Sequence, residues 1–343
     1  IGKRGKMARI IYMTNVGTIP DEAKIKVKLG EYVIGTIDEA FLERLKKNDV
    51  FVLGGESYVF NFARGMTIQV RSADKRPPTV PRWVSEMLPL SFDLALEIQK
   101  FRRLMEEKLA ARQPKKEIVD WLHGYVYVDE NSASAIYEYF HEQFQYAVIP
   151  HDKRLLIETY EESPLTHLIF HSLFGRRTND ALSKAYAYAL SRLTHKDVEL
   201  SMNDNGFVIT AEGKVPIDTA LRIVKSQELR MLLEMAIDRT EVLGRRFRHC
   251  ATRSLVILRN YRGRTKSAGR QQMSSRLLLS AVKRISRDFC ILREARREVM
   301  EDLMDIESAM KVVQWLEKGQ LKVERITSPL PSPFAFNLLL QGY

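Results

Sequence analysis

Residues 24–72 read KIKVKLGEYVIGTIDEAFLERLKKNDVFVLGGESYVFNFARGMTIQVRS, and this stretch decides the fold class. It divides into five short β-type runs: KIKVKL (24–29), EYVIGTI (31–37), DVFVLGG (49–55), SYVFNF (57–62) and MTIQVRS (66–72). Gly30, Gly54, Gly55 and Gly65 punctuate them. Runs this close leave no room for crossover helices, so the spacing predicts a small antiparallel β-barrel or strongly bent sheet over residues 23–85. One helical interruption is expected at 39–47. The connector that follows, RPPTVPRW (76–83), holds Pro77, Pro78 and Pro81 and suits neither a helix nor a central strand.

Beyond Pro89 the period turns helical. Leu94, Ile98, Phe101 and Met105 recur at i+3 and i+4, which predicts an amphipathic helix over 92–112. Further helices are expected at 115–122, 132–144, 166–193 and 216–237, and a helical block at 240–315. Between them lie a strand-like run, LLIETY (155–160), and a hairpin candidate, ELSMNDNGFVIT (199–210), with Asn205-Gly206 as its turn. The fold class is therefore α+β: a small N-terminal antiparallel barrel, then a larger, mostly helical body over 86–343 with short β-hairpins.

The 343 residues carry 54 Lys and Arg against 43 Asp and Glu, a net charge of +11, and 45% of them are hydrophobic. That composition is globular and points to a polyanionic partner. The excess is local. Between Arg239 and Arg297 there are 17 Lys and Arg against three acidic residues, Glu241, Asp288 and Glu294, a balance of +14 that exceeds the whole chain's. On a helical projection Leu243, Phe247, Cys250, Ala251, Leu255 and Leu258 fall on one side, and Arg245, Arg246, Arg248, Arg253 and Arg259 on the other. Directly after comes NYRGRTKSAGRQQ (260–272), a loop that interleaves Arg262, Arg264, Lys266 and Arg270 with Gly263 and Gly269. Arginine forks, close-approach glycines and neutral donors suit phosphate oxygens, so the segment reads as a nucleic-acid contact rather than a merely solvated basic face. Trp83, adjoining Arg82 at the end of the proline-rich connector, reads either as a core residue or as an exposed base-stacking wedge beside a cation.

Other chemistry lacks support. There is no G-x-x-x-x-G-K-[ST] phosphate loop. IDEAF (37–41) and VDEN (128–131) read as caps or turns, and Ser308 with Lys311 matches S-x-x-K by spacing alone. His167 and His171, four apart, have no water-activating Glu between them and read as a structural pair. No catalytic or metal-binding residues are singled out. Cys250 and Cys290 are too few for a disulfide framework and suit a reducing, cytoplasmic compartment. No membrane segment is expected. The chain begins without Met, which suggests a fragment or a processed chain.

Several blocks in order, GTIPDEAKIKVK (17–28), IDEAF, KNDVFVLGG (47–55), PPTVPRW (77–83), HSLFGRRTNDAL (171–182), FRHCATRSLVILRNYRGRTKSAGRQQ (247–272) and TSPLPSPFAF (327–336), resemble the large helicase-related (Lhr) proteins of superfamily 2, particularly archaeal ones. The resemblance implies the region after two RecA-like motor domains. Residues 1–22 would end the winged-helix region, and the rest would form the DEAD/H-associated part. It implies ATP and Mg²⁺ in the motor, and the motor and winged-helix domains of the same parent protein as partners. Single-stranded or duplex DNA, or RNA, is the implied substrate, and Trp83 the implied aromatic at the barrel exit. The function expected is an accessory region of an ATP-dependent 3′ to 5′ helicase in DNA repair or RNA metabolism. The alternatives are a self-contained nucleic-acid enzyme such as a DNA glycosylase, or a protein-interaction scaffold.

Overall fold

The computed structural model describes residues 5–16, 24–42, 45, 47–64, 67–73, 88–238, 240–261, 264–265, 268–286 and 288–339. The chain opens with helix α1 (Gly5–Asn15), strands β1 (Lys24–Leu29) and β2 (Tyr32–Asp38), the single turn α2 (Glu39–Leu42), and β3 (Val50–Leu53), β4 (Glu56–Arg64) and β5 (Thr67–Ser72). Helices α3 (Phe92–Ala110), α4 (Lys115–Tyr125) and α5 (Glu130–Tyr146) lead to β6 (Arg154–Glu162) and β7 (Leu165–His171). Next come α6 (Arg176–Thr194), β8 (Glu199–Asn203), β9 (Gly206–Glu212), α7 (Ile217–Ile223) and α8 (Leu229–Ile237). The last third holds α9 (Glu241–Arg253), β10 (Asn260–Tyr261), β11 (Arg264–Thr265), α10 (Ala268–Ile285), α11 (Cys290–Arg297), a π-helical turn (Glu298–Leu303), α12 (Ile306–Glu317), β12 (Lys322–Ser328) and α13 (Pro333–Leu339). Two compact units result: Ile1–Glu86 with Ile237–Leu303 and Gly342–Tyr343, and Met87–Ala236 with Met304–Gln341.

In the first unit all five strands expected from residues 24–72 form, and their order is β2-β1-β5-β4-β3. Ile25 and Val27 of KIKVKL turn inward to join Phe51, Tyr58, Phe60, Ile68 and Val70 in one core, because alternate strand residues face opposite sides. Gly54 and Gly55, at φ +62° and +91°, form the two-residue turn between Leu53 and Glu56 that their sequence promises. The sheet differs from the expected antiparallel barrel in one pairing, since β1 runs parallel to β5. Register shifts at Val27/Lys28 and between Phe60 and Phe62 go with a sheet curled into a half-barrel, because a bulge bends and twists its strand. A closed barrel is not formed among the described residues.

The second unit departs further from expectation. Its strands form one five-stranded sheet, β12-β6-β7-β9-β8, with β12 parallel to β6 and the rest antiparallel. The helix expected over 166–193 is in fact β7 followed by α6. Ile169 and Val208 pack with Ala335 and Leu338 of α13, while Phe170 stacks on Phe207 at 4.3 Å and on Tyr186 of α6 at 5.5 Å. Both faces of LTHLIFH are thus covered, which removes the polar alternation that marks a strand. The hairpin β8–β9 pairs Asn203 with Gly206, so its turn is Asp204-Asn205 rather than Asn205-Gly206.

The two motifs that the resemblance drew from this unit are scaffold. Gly175, at φ +82°, is where HSLFGRRTNDAL turns into α6; a Cβ there would stand 2.3 Å from the Leu90 carbonyl oxygen. In SPLPSPFAF the Glu158 carboxylate of β6, fully buried, accepts hydrogen bonds from Ser328 Oγ (2.7 Å), Ser332 N (2.8 Å) and Ser332 Oγ (2.6 Å), and it contacts His171 Nε2 at 3.0 Å. Burial alone would raise the Glu158 pKa; donors from His171, Ser332 and Ser328 outweigh it and hold the carboxyl below its ordinary value. Burial keeps His171 neutral by lowering its pKa, despite Glu158. His167 is engaged separately, with Thr210 Oγ1 at 2.9 Å and stacked on Tyr160.

Candidate nucleic-acid interface

The Thr240 side chain caps α9 by accepting from the Leu243 amide, Glu241 lies in its first turn and Arg253 in its last, each on the end its charge favours. Leu243, Phe247, Cys250 and Ala251 are buried as the helical projection requires, and so is Arg248. That last point corrects the projection: Arg248 is 6% exposed and lies inside the fold rather than in an outward stripe. The helix also stops at Arg253. Leu255 at φ +61° turns the chain, so Leu258 and Arg259 lie beyond the helix and share no face with it.

Arg246 and Arg253 meet a carboxylate that the sequence did not pair with them. Glu298, 4% exposed at the start of the π-helical turn, accepts from Arg253 Nη2 and faces Arg246 Nη1 at 3.7 Å. Arg253 also donates to Cys250 Sγ at 3.3 Å. Burial first, and the Glu298 charge second, push the Cys250 thiol up to about 11. Part of the arginine excess therefore serves to neutralise one buried acid, since a buried charge must be paired. More of it is spent locally: Arg276 on Glu241 at 3.1 Å, Lys283 and Arg296 on Asp238 at 3.1 and 3.3 Å, and Arg297 on Glu294 and Asp302 at 2.9 and 3.1 Å.

What is left faces outward. Arg264 on β11 and Arg270 in the first turn of α10 are exposed and have no ion pair among the described residues. The same holds for Arg284, at the end of α10, and Arg293 on α11. These two lie outside the arginine-rich blocks that drew attention in the sequence; the only signal for them was membership of the +14 segment. Within the expected loop 260–272 the described residues instead form two antiparallel pairs, Asn260 with Thr265 and Tyr261 with Arg264, and the start of α10. Reciprocal amide bonds fasten the first pair to α1: Asn15 Nδ2 to Asn260 O and Asn260 N to Asn15 Oδ1, both 2.8 Å. Arg245 and Arg259 are half-buried. Arg82, Trp83, Arg262 and Lys266 lie outside the described residues.

Among the described residues no helix is long and apolar enough to cross a membrane, and no group of three or more His, Cys, Asp or Glu could hold a metal ion. The family model described as DEAD/H associated matches residues 149–335. A model described as the winged helix domain of the large helicase-related protein matches residues 2–80. The chain is 52% identical over its full length to an ATP-dependent helicase Lhr-Core of Methanothermobacter thermautotrophicus and 46% identical, over 99% of its length, to ATP-dependent helicase Lhr-Core protein 2 of Thermococcus barophilus. It spans 40% and 39% of those relatives. In fold it is similar to Mycobacterium smegmatis helicase Lhr, solved bound to ssDNA and AMP-PNP, with a TM-score of 0.64, 20% identity and coverage of 78% of this chain and 34% of that one.

Proposed function

The chain belongs to the large helicase-related (Lhr) family, with a DEAD/H-associated region, and from that premise we propose that its first unit holds a single strand of nucleic acid for an ATP-dependent motor in the parent helicase. One observation carries the reading. The first unit has 32 Lys and Arg against 17 Asp and Glu, the second 22 against 26, and in the first Arg264, Arg270, Arg284 and Arg293 are exposed without acidic partners among the described residues. Such cations displace condensed counterions from a phosphate backbone, which provides affinity without base sequence. The ssDNA in the M. smegmatis structure supports this choice of ligand.

Arg82 and Trp83 belong to the proposal as the stacking wedge, with Arg262 and Lys266 as further phosphate contacts and the outer edges of Arg245, Arg246, Arg253 and Arg259 beside them. Arg248 is assigned to packing. Without a phosphate loop the chain's own residues do not suit ATP and Mg²⁺, so the proposed role is binding, not hydrolysis. Movement in the 3′ to 5′ direction is part of the proposal, and duplexes with a single 3′ or 5′ tail test it in the parent protein. Trp83→Ala in that parent should impair unwinding far more than ATP hydrolysis; equal loss of both would remove the wedge. Arg264→Glu with Arg270→Glu should weaken binding of a short single strand by about tenfold or more at low salt. Unchanged affinity in that variant would contradict the proposed face.

A further inference from the structure

A cleft of about 390 Å³ lies within the second unit, and the strand-holding role makes no use of it. Leu96, Leu321 and Trp315 give it apolar surface, and Lys100, Asp152, Lys153 and Gln320 its polar groups. Its walls are fixed. Leu96 and Lys100 are one turn apart on α3 and so share a side. The amides of Gln320 and Leu321 donate to the Trp315 carbonyl at 2.9 and 3.1 Å, which caps α12, and the Lys322 amide donates to the Lys153 carbonyl at 3.0 Å. The Trp315 ring is oriented by stacking with Phe92 at 5.9 Å.

Charge selects the ligand. Asp152, which also borders the cleft, pairs with Arg103 Nε at 2.9 Å, a guanidinium that it shares with Glu107. Lys100 pairs with the exposed Glu97 at 2.6 Å and also feels the Asp152 charge; the Glu97 contact is a surface pair of little worth that a stronger anion displaces. The Lys153 ammonium has no ion pair among the described residues. The lining thus carries Lys100 and Lys153 against Asp152, a surplus of one positive charge, on a unit whose total charge is negative, which suits one or two phosphate charges better than a long polyanion. The volume falls in the roughly 300–1,000 Å³ range of small-molecule sites, which are mostly apolar with a few placed polar groups.

We infer that this cleft binds a nucleoside monophosphate, its base against the apolar surface and its phosphate on Lys100 and Lys153. The same chemistry is presented by a free mononucleotide and by the phosphorylated end of a strand. The chain has no phosphate loop, so binding to it is read without interference from a motor site, and the inference stands apart from the strand-holding role.

Calorimetric titration of the 343-residue chain with AMP, adenosine, inorganic phosphate, and a short oligonucleotide with and without a 5′-phosphate tests it. AMP should bind saturably, with adenosine and phosphate each weaker by about tenfold or more. Lys100→Glu with Lys153→Glu should weaken AMP by a similar factor at unchanged melting temperature, and Leu96→Arg should do the same by filling the cleft. Arg264→Glu with Arg270→Glu should leave AMP binding unaltered. Phosphate-dependent binding of the oligonucleotide, lost in the double lysine variant, identifies a strand end as the source; binding of AMP alone identifies the free nucleotide. Absence of binding by both at millimolar concentration, phosphate binding as tightly as AMP, or full binding by the double lysine variant overturns the inference.

Discussion

Glu298 shows how one residue redirects a charge argument. Its carboxylate, buried beside Arg253, Arg246 and Cys250, turns arginines that look available into structural ones. Glu298→Ala should lower unfolding free energy by about 2 to 3 kcal/mol, less than a fully buried pair would lose because the Arg253 side chain is 37% exposed. Arg264→Ala, at an exposed site without an acidic partner, should leave the denaturation midpoint unchanged and weaken strand binding. Finding the reverse pattern by urea titration would exchange the roles assigned to the two positions. The cysteines make a second check. With its thiol pushed up to about 11, Cys250 is almost wholly protonated at pH 8 and should resist alkylation in the folded chain. Exposed Cys290 should react. Mass-spectrometric mapping that finds Cys250 labelled as fast as Cys290 would show that the buried cluster opens readily.

At the scale of elements, the Glu158 cluster holds the parallel strand β12 and the start of α13 against β6. Glu158→Gln replaces an acceptor-only group by one that brings its own donor among Ser328, Ser332 and His171, and should cost about 3 kcal/mol. Hydrogen exchange should then rise first in residues 322–339; uniform exchange along the chain would argue against a local clamp. Acid should act on the same cluster. The pKa values of both His171 and Glu158 are lowered by folding, so the unfolded chain takes up protons that the folded one refuses. Stability is fully present above the ordinary histidine value of about 6.5. It falls as pH drops below that, and falls again as pH descends from the ordinary glutamate value of about 4.3 through the lowered Glu158 pKa. A urea midpoint flat from pH 7 to pH 4 would contradict this assignment. The same elements mark how far sequence reached. The strands of residues 24–72 were legible because glycine turns and one buried face leave their period intact. β7 was not, because it is covered on both sides and follows no alternation. Nor was β12, a parallel edge strand whose partner lies far away in sequence. In the helical block, composition revealed the basic face, but the pairing that spends Arg246 and Arg253 depends on Glu298, which helical projection of α9 cannot see.

Across the whole molecule the net charge of +11 separates into a strongly basic unit and a mildly acidic one. Chain order hides this, because the basic unit is assembled from three segments that alternate with the two of the acidic one. Electrostatic binding should follow the units. Charge reversal at exposed lysines of the second unit, such as Lys116→Glu, should leave strand affinity nearly intact, while reversals in the first unit should accumulate. The most direct test of the central claim is the salt dependence of single-strand binding by the 343-residue chain, measured with and without reversals at Arg264, Arg270, Arg284 and Arg293. For a single strand each phosphate contact contributes roughly 0.7 to the negative slope of log affinity against log salt. The account predicts a steep slope that is reduced by about two to three when all four arginines are reversed. An affinity flat between low and high salt, or a slope that the four reversals leave untouched, would contradict it.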